Sequence, residues 1–249
     1  MSERALRATS FGAVAADYDR LRPPPADAAV DWLLPADARV VMDLAAGTGL
    51  LTRALAARVE TVWAVEPDER MRAVLADRTP GVHVLHGWGE EVPLDDASVD
   101  AVFVSSAWHW LDPGRSVPEL ARVLRDGGRL GVVWTSRDRQ VGWVASMDEM
   151  RGSWSGHPEG RAMHEVVLPA GSAFTDEETA SFGYSRSMPL DDVVAMMTTY
   201  SGMITASPAE REAVTARARE LLREQFGDVG TVEVPMRSRC WRATRGPRG

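Results

Sequence analysis

The stretch Val40-Val41-Met42-Asp43-Leu44-Ala45-Ala46-Gly47-Thr48-Gly49 decides the fold of this chain. Its first half is a short apolar run that contains one acid, and its second half is a loop of small residues with two glycines. From residue 48 to residue 58, apolar side chains recur at the spacing of one helix face. The stretch therefore predicts a strand, a tight glycine loop and a helix in succession.

The same alternation continues along the chain. Further apolar runs are predicted to be strands, and amphipathic segments between them are predicted to be helices; the strands are 61–65, 82–85, 101–104 and 129–134, and the helices are 68–76 and 116–124. Strands that alternate with helices indicate a parallel sheet covered on both faces, and right-handed crossovers make it doubly wound. The fold class expected is therefore α/β.

The two ends of the chain lack the strand–helix alternation of the central part. Helices are predicted at 11–21 and 26–34, separated by three prolines, and later at 141–150, 190–200 and 209–226. The final strand is expected to be broken at Pro235, with pieces at 232–234 and 240–242. The second half of the chain has no glycine-loop motif, so we expect it to carry substrate specificity.

Composition excludes several kinds of chemistry. The chain has 249 residues and one cysteine, Cys240, which rules out an internal disulfide and multi-cysteine zinc or iron–sulfur sites. All 28 basic residues are arginines. The absence of lysine rules out a lysine Schiff base and a Walker-type phosphate loop.

The charge balance argues against a polyanionic partner. The net charge is −8, whereas nucleic-acid-binding proteins usually carry a basic stripe. Arginines concentrate only near the end of the chain, where we expect a frayed, solvated tail: Arg237, Arg239, Arg242, Arg245 and Arg248. No apolar stretch approaches the roughly 18 residues of a membrane span, and no signal-peptide core is evident. We therefore expect a cytoplasmic protein with neither nucleic-acid nor membrane partners.

A second acid stands at the next predicted strand end. Glu66 follows the run 61–65 and lies 17 residues after Gly49. The carboxyl ends of parallel strands meet at one edge of the sheet, where ligands of such folds bind. A carboxylate there can accept hydrogen bonds from both hydroxyls of a ribose. The pattern favours an adenosine-type ligand over a bare phosphate.

Two cofactors fit a glycine loop followed by a ribose-binding acid. A dinucleotide would prefer a third glycine where this chain has Thr52, and its pyrophosphate would be repelled by Asp43. An ammonium or a sulfonium would be attracted by the same carboxylate. The charge pattern therefore favours S-adenosylmethionine. The alternative, in which Asp43 only caps the loop by accepting its backbone N–H groups, stays open.

Four segments resemble, in order and spacing, the motifs of class I S-adenosylmethionine-dependent methyltransferases of the small-molecule type, such as the trans-aconitate and ubiquinone-biosynthesis enzymes. They are the glycine loop 43–49, the ribose motif 65–71, the adenine loop 87–94 with 96–102, and the turn 122–130. The resemblance covers about residues 10–135. It implies S-adenosylmethionine as methyl donor, no metal, and a mostly parallel seven-stranded sheet with an N-terminal helical lid and a C-terminal helical insertion.

The resemblance also implies one domain spanning 1–249, with a lid at 1–35, a cofactor-binding core at 36–135 and a substrate-specificity region at 136–249. It assigns cofactor contacts to Asp43, Ala45, Gly47, Gly49, Glu66, Pro67, Met71, Trp88, Gly89, Glu90 and Ser105. Two of these depart from the family pattern. Ala45 replaces the usual first glycine, and its methyl group crowds the methionine half of the cofactor. Trp88 replaces an Asp that accepts from the adenine amino group, so we expect the Trp88 ring to stack on adenine and Glu90 to act as acceptor.

The segment Ser105-Ser106-Ala107-Trp108-His109-Trp110-Leu111-Asp112 faces the transfer site in this family. It lacks the double proline of DNA adenine and protein glutamine methyltransferases, and the nucleophilic cysteine of cytosine-C5 enzymes is also missing. A small-molecule acceptor is therefore expected. His109 is the candidate general base, with a structural, buried histidine as the alternative. Candidate substrate contacts are Tyr18, Arg22, Trp108 and Tyr200; the alternative is packing for the three aromatic residues and solvent exposure for Arg22.

An oxygen acceptor is slightly favoured over nitrogen or carbon. Two rival functions remain open at this point. One is a nicotinamide-dependent oxidoreductase on the same kind of sheet, and the other is a non-methylating binding or cyclase-like protein that keeps the cofactor fold. The sequence does not identify the acceptor or the oligomeric state.

Overall fold

One seven-stranded sheet organises the computed structural model, which describes residues 14–150 and 165–248. The strand order is β3-β2-β1-β4-β5-β7-β6. Strands β1 to β5 pair in parallel, and β7 runs antiparallel to both β5 and β6. The strands are β1 (Val40–Leu44), β2 (Thr61–Val65), β3 (His83–Leu85), β4 (Val99–Ser105), β5 (Leu124–Arg137), β6 (Phe174–Pro189) and β7 (Thr231–Arg245). The expected α/β, mostly parallel, seven-stranded fold is confirmed.

Helices cover both faces of this sheet. They are α1 (Ala15–Leu21), α2 (Asp27–Leu33), α3 (Leu50–Ala56), α4 (Glu69–Arg78), α5 (Pro113–Val123), α6 (Gly142–Glu149), α7 (Leu190–Met197), α8 (Ser201–Thr205) and α9 (Pro208–Phe226). Helices α7 to α9 lie between β6 and β7 and form the helical insertion. Residues 1–13 of the predicted lid, and 151–164 of the predicted specificity region, lie outside the described ranges.

Three apolar clusters hold these layers together. Helices α2 and α3 pack on one face of the sheet, where Leu33 and Leu51 meet Phe103 of β4. Helix α5 packs on the opposite face in a cluster that includes Leu120. A third cluster joins α6, α7 and α9 to the far ends of β6 and β7, and it includes Leu21 of α1. The N-terminal helix is thereby connected to the helical insertion.

The strand order reverses between β1 and β4. The chain leaves β1 toward β2 and β3 on one side, and β4 continues the sheet on the other. Ligands of such sheets bind outside the carboxyl ends of the strands at this reversal. The glycine loop after β1, the acid after β2 and the segment after β4 all meet there.

The final strand differs from its sequence-based prediction. β7 is continuous across Pro235, so the prediction of a broken strand is wrong. The pairing of β5 with β7 ends at Arg137 opposite Met236, and the carbonyl of Pro235 accepts the N–H of Asp138 at 2.8 Å. A backbone N–H at position 235 would point toward β5, but β5 has already ended opposite Met236. Proline therefore interrupts no hydrogen bond there.

The neighbouring strand β6 was missed. It is a long edge strand, paired only with β7 in the described structure, and most of its residues are exposed. Phe182 and Tyr184 pack against a core cluster, but the strand is mostly polar and has no apolar run to reveal it.

The expectation of a frayed arginine tail is also wrong. Four of the five arginines lie in β7, and the guanidinium of Arg245 is buried and contacts Asp126 at 2.5 Å. Arg237 makes two hydrogen bonds to one oxygen of Asp138, and Arg248 donates to the carbonyls of Arg122 in α5 and Leu124 in β5. These carboxylates lie about 100 residues earlier in the chain, so local sequence could not reveal the pairing.

Candidate active site

The glycine loop after β1 is built from backbone that L-residues rarely adopt. Ala45, Gly47 and Gly49 all have positive φ angles, of 54°, 59° and 90°. A Cβ on Gly49 would lie 2.5 Å from Leu75 Cδ1, so a larger residue there would displace this side chain of α4. A Cβ on Gly47 would meet no atom within 4 Å. Gly47 thus borders open space, where a ligand has room.

Asp43 lies at the centre of this edge. Its side chain is fully buried, and its Oδ2 accepts the hydroxyl of Thr52 at 2.6 Å. Its Oδ1 is buried and has no hydrogen-bond partner in the described structure. Burial, and to a lesser extent the nearby Glu66, raise the pKa of Asp43 to about 7. An unsatisfied buried oxygen costs about 1–3 kcal/mol, which a ligand with a cationic donor would relieve.

The backbone N–H groups of the glycine loop are capped by Glu66, although the sequence analysis left this role open for Asp43. Its Oε2 accepts the N–H of Gly47 at 2.9 Å, and its Oε1 accepts the N–H of Asp68 at 2.9 Å. Burial raises the pKa of Glu66 to about 6, although both backbone hydrogen bonds act in the opposite direction. Each carboxylate oxygen has two lone pairs, so each retains one acceptor site for a ribose hydroxyl.

The predicted adenine side is formed by two turns. Pro67 and Met71 stand at the start of α4, with Met71 buried. Trp88 is half-buried and forms an isolated bridge with Glu91. Gly89 lies in close contact with the start of α5, since a Cβ there would lie 2.7 Å from Leu111 Cδ2 and displace that side chain.

Glu90 has a structural contact in addition to its predicted role. Its Oε1 accepts the N–H of Asp112 at 2.9 Å, and Asp112 is the N-cap residue of α5. Glu90 therefore anchors the start of this helix at the same edge of the sheet. Its role as an adenine acceptor remains a prediction.

Two further buried hydroxyls belong to the glycine loop and to α5, which meet at this edge of the sheet. Thr48 Oγ1 in the glycine loop and Ser116 Oγ in α5 have no hydrogen-bond partner among the described residues. Buried polar groups are normally paired, and clusters of exceptions mark places where a ligand or water completes the structure. The residues present thus fit a ligand that carries an ammonium group and several hydroxyls, as S-adenosylmethionine does.

The segment after β4 approaches the same edge. Ser105 is the last residue of the strand, and Ser106 is held at a φ of 55° with its N–H donated to the carbonyl of Val133 at 2.8 Å. His109 follows in a short 3-10 helix, half-buried, with its ring 4.7 Å from that of Trp110. Its role as a base stays a prediction.

Trp108 differs from the other predicted substrate contacts. It is 4% exposed and packs in the core cluster under α5, with its ring 6.4 Å from that of Trp241. The other three come together. The guanidinium carbon of Arg22 lies 5.1 Å from the ring centroid of Tyr18 and 3.9 Å from that of Tyr200.

Sequence reasoning missed residues that support this site. Thr52, the partner of Asp43, was treated only as a missing glycine, although its position on the inner face of α3 was a readable signal. Arg186 of β6 donates to three carbonyls at the end of α1, those of residues 20, 21 and 22, at 2.9–3.1 Å. No local signal identifies Arg186, because its partners lie more than 160 residues away.

Within residues 14–150 and 165–248, no group of three or more His, Cys, Asp or Glu side chains could hold a metal ion. In the same ranges, no helix has the length and apolar character needed to cross a membrane.

The sheet order, the glycine loop and the two acids at adjacent strand ends are typical of α/β proteins of the methyltransferase type. A family model described as methyltransferase domain matches residues 42–132. An uncharacterized methyltransferase of Mycobacterium tuberculosis is 41% identical over 237 residues, which cover 94% of this chain and 95% of the relative. The chain belongs to the class I S-adenosylmethionine-dependent methyltransferase family.

Two other similarities are more limited. The malonyl-[acyl-carrier protein] O-methyltransferase of Methylococcus capsulatus is 35% identical over 140 residues, about half of each chain. A structure of a proposed type II methyltransferase from Anaeromyxobacter dehalogenans superposes with a TM-score of 0.70 at 24% identity and covers 91% of this chain and 99% of that chain. At that identity the match supports the fold alone.

Proposed function

We propose that this protein transfers a methyl group from S-adenosylmethionine to a small-molecule acceptor. The observation that carries the proposal is the unsatisfied, buried Oδ1 of Asp43 beside the open side of Gly47. A carboxylate in this position favours a cationic ligand and disfavours a phosphate.

The residues divide the work as follows. When bound, S-adenosylmethionine supplies an electrophilic methyl group on a sulfonium. Asp43 accepts from the ammonium of the methionine half, Glu66 holds the ribose hydroxyls, and the ring of Trp88 stacks on the adenine. Catalysis then rests mainly on holding the acceptor atom in line with the methyl group and excluding water.

The acceptor atom is proposed to be an oxygen. If it is a hydroxyl, His109 takes its proton as the methyl group transfers, an effect of roughly 10²–10⁴-fold in comparable enzymes. The O-methyltransferase named among the relatives supports an oxygen acceptor. A trans-aconitate-like or ubiquinone-biosynthesis-like subtype and a cytoplasmic location remain hypotheses from the sequence.

The oxidoreductase alternative is less well supported. The position of the third dinucleotide glycine is occupied by Thr52, whose buried hydroxyl is committed to Asp43. A pyrophosphate over this loop would face a buried carboxylate. The non-methylating alternative shares the whole cofactor site and differs only in product.

Calorimetric titration with S-adenosylmethionine, S-adenosylhomocysteine and NADH tests the cofactor. We expect binding of the first two and none of NADH. Replacement of Glu66 by Gln removes a charged acceptor and should weaken binding by more than about tenfold. The matched control is Glu60→Gln, because Glu60 is exposed and contacts only Arg39 among the described residues.

Two results would contradict the proposal. Binding of NADH alone would favour the oxidoreductase. Binding of S-adenosylmethionine without formation of S-adenosylhomocysteine across a panel of hydroxyl, amine and carboxylate acceptors would favour the non-methylating protein.

A further inference from the structure

Arg22 differs from the arginines around it. Its guanidinium lies over two aromatic rings, with Cζ 3.9 Å from the centroid of Tyr200 and 5.1 Å from that of Tyr18. The residue is half-buried, and its Nε is buried without a hydrogen-bond partner. Among the described residues, no carboxylate lies within ion-pair distance of it. Arg20 is paired with Asp192.

Aromatic rings stabilise a guanidinium without accepting hydrogen bonds from its N–H groups. The cation stacks on each ring, but its N–H donors lie in its own plane and point away from the ring faces. A carboxylate can approach in that plane and accept two parallel hydrogen bonds. The arrangement around Arg22 therefore leaves its donor edge available for a planar anion.

The backbone at Arg22 is held in place. Arg186 donates to the carbonyls of Leu21 and Arg22 at 3.0 and 3.1 Å. Tyr184 donates to the carbonyl of Pro24 at 2.5 Å. These contacts tie the end of α1 to β6, so the guanidinium is positioned before any ligand arrives.

We propose that Arg22, flanked by Tyr18 and Tyr200, binds a carboxylate of the methyl acceptor; this inference rests on the proposed function. The carboxylate is an anchor, and the methyl group is accepted at another atom, because an ion-paired carboxylate is a weakened nucleophile. A single cation matches a monoanion better than a phosphate dianion, which calls for more positive charge.

The location of the cluster favours the acceptor over the cofactor as the source of the carboxylate. Tyr200 belongs to the helical insertion between β6 and β7, and the described contacts of the Arg22 guanidinium include no residue of the glycine loop. An apolar cluster adjoins it, to which Leu21, Met196 and Met197 contribute. Because these three side chains are buried within the cluster, the apolar surface beside the guanidinium is that of the Tyr18 and Tyr200 rings, and the acceptor class that fits is a carboxylic acid.

Paired probes test this proposal. Protein with and without saturating S-adenosylhomocysteine is titrated with benzoate and benzamide, with hexanoate and hexanamide, and with inorganic phosphate. We expect both acids to bind at least about tenfold more tightly than their amides and than phosphate, since only a carboxylate offers the planar, singly charged pair of acceptors.

The variants isolate Arg22. Arg22→Met should lose acid binding by at least about tenfold and Arg22→Lys should recover part of it, because lysine keeps the charge but not the planar donor edge. The matched control, Arg20→Met, should bind the acids like the wild type. If Arg22→Met does not fold, Tyr200→Leu replaces it and should weaken acid binding with S-adenosylhomocysteine affinity unchanged.

Each remaining outcome is decisive. Equal binding of acids and amides, tighter binding of phosphate, or full acid binding by Arg22→Met would overturn the proposal. Loss of S-adenosylhomocysteine affinity in Arg22→Met would assign the site to the carboxylate of the cofactor and would also overturn it. Failure of the proposed function is seen separately, as wild-type protein that does not bind S-adenosylhomocysteine.

Discussion

Replacing Asp43 by Asn should stabilise the ligand-free protein at alkaline pH while it impairs cofactor binding. Asp43 is fully buried, its Oδ1 has no partner in the described structure, and burial raises its pKa to about 7 from an ordinary 3.8. At about 1.4 kcal/mol per pKa unit, this difference corresponds to about 4 kcal/mol of destabilisation once the carboxyl group is ionised in the folded state.

The sign follows from proton binding. Between about pH 4 and pH 7 the unfolded Asp43 is ionised and the folded one keeps its proton, so the folded state binds more protons. Raising the pH through this range therefore destabilises the folded protein, and the penalty is complete above pH 7. The uncharged amide of the Asp43→Asn variant carries no such penalty. Glu66, whose pKa is raised to about 6, contributes in the same direction in both proteins.

Urea unfolding at pH 5, 6, 7 and 8 measures the effect. We expect the two proteins to be of similar stability at pH 5. At pH 8 Asp43→Asn should be more stable by about 1–3 kcal/mol. This is less than the full penalty of about 4 kcal/mol, because the amide can accept from the hydroxyl of Thr52 but its remaining hydrogen-bonding groups are incompletely paired. A stability difference that does not change with pH would refute the reasoning.

The same variant should bind S-adenosylmethionine more than about tenfold more weakly, because the acceptor for its ammonium is no longer charged. Stabilisation combined with loss of binding is the expected behaviour of a residue whose unfavourable burial serves a ligand. Unchanged cofactor affinity in Asp43→Asn would return this acid to a purely structural role.

Three further predictions concern backbone and anchoring. Ala45→Gly should stabilise the protein by up to about 1 kcal/mol in urea unfolding, because alanine is held at a φ of 54°; a loss of stability would contradict this. Gly49→Ala should destabilise the protein by more than about 2 kcal/mol, because the added Cβ contacts Leu75. Gly47→Ala has open space around the added Cβ, so it should cost about 1 kcal/mol of stability and mainly weaken cofactor binding. Equal losses of stability in the two variants would refute the distinction. Arg186→Met should release the end of α1 and speed tryptic cleavage after Arg20 several-fold, with unchanged cleavage as the contrary result.

The central part of the fold was predictable because its signals are local. The runs 40–44, 61–65, 101–104 and 129–134 are apolar and short and lie within β1, β2, β4 and β5, and the helices between them show one apolar face. The glycine loop and Glu66 could be placed for the same reason, since consecutive parallel strands bring their carboxyl ends to one edge.

The C-terminal part was not predictable in this way. The residues of β6 are largely exposed, and its identity as a strand depends on pairing with β7, more than 40 residues later in the chain. Pro235 indicated a break, and only the end of β5 opposite Met236 explains why it is tolerated. The arginines of β7 read as a solvated tail because their carboxylate partners are remote in sequence.

Local sequence was thus sufficient for the central strands of the sheet, the glycine loop and the acids near the ends of two strands, because period, glycine placement and strand ends are properties of short segments. Long-range packing supplied the rest. It left Asp43 Oδ1 unsatisfied, gave the capping contacts to Glu66, buried Trp108 and placed Arg22 against Tyr200. Burial, pKa and side-chain partnership depend on residues far apart in the chain, and only folding brings those residues together.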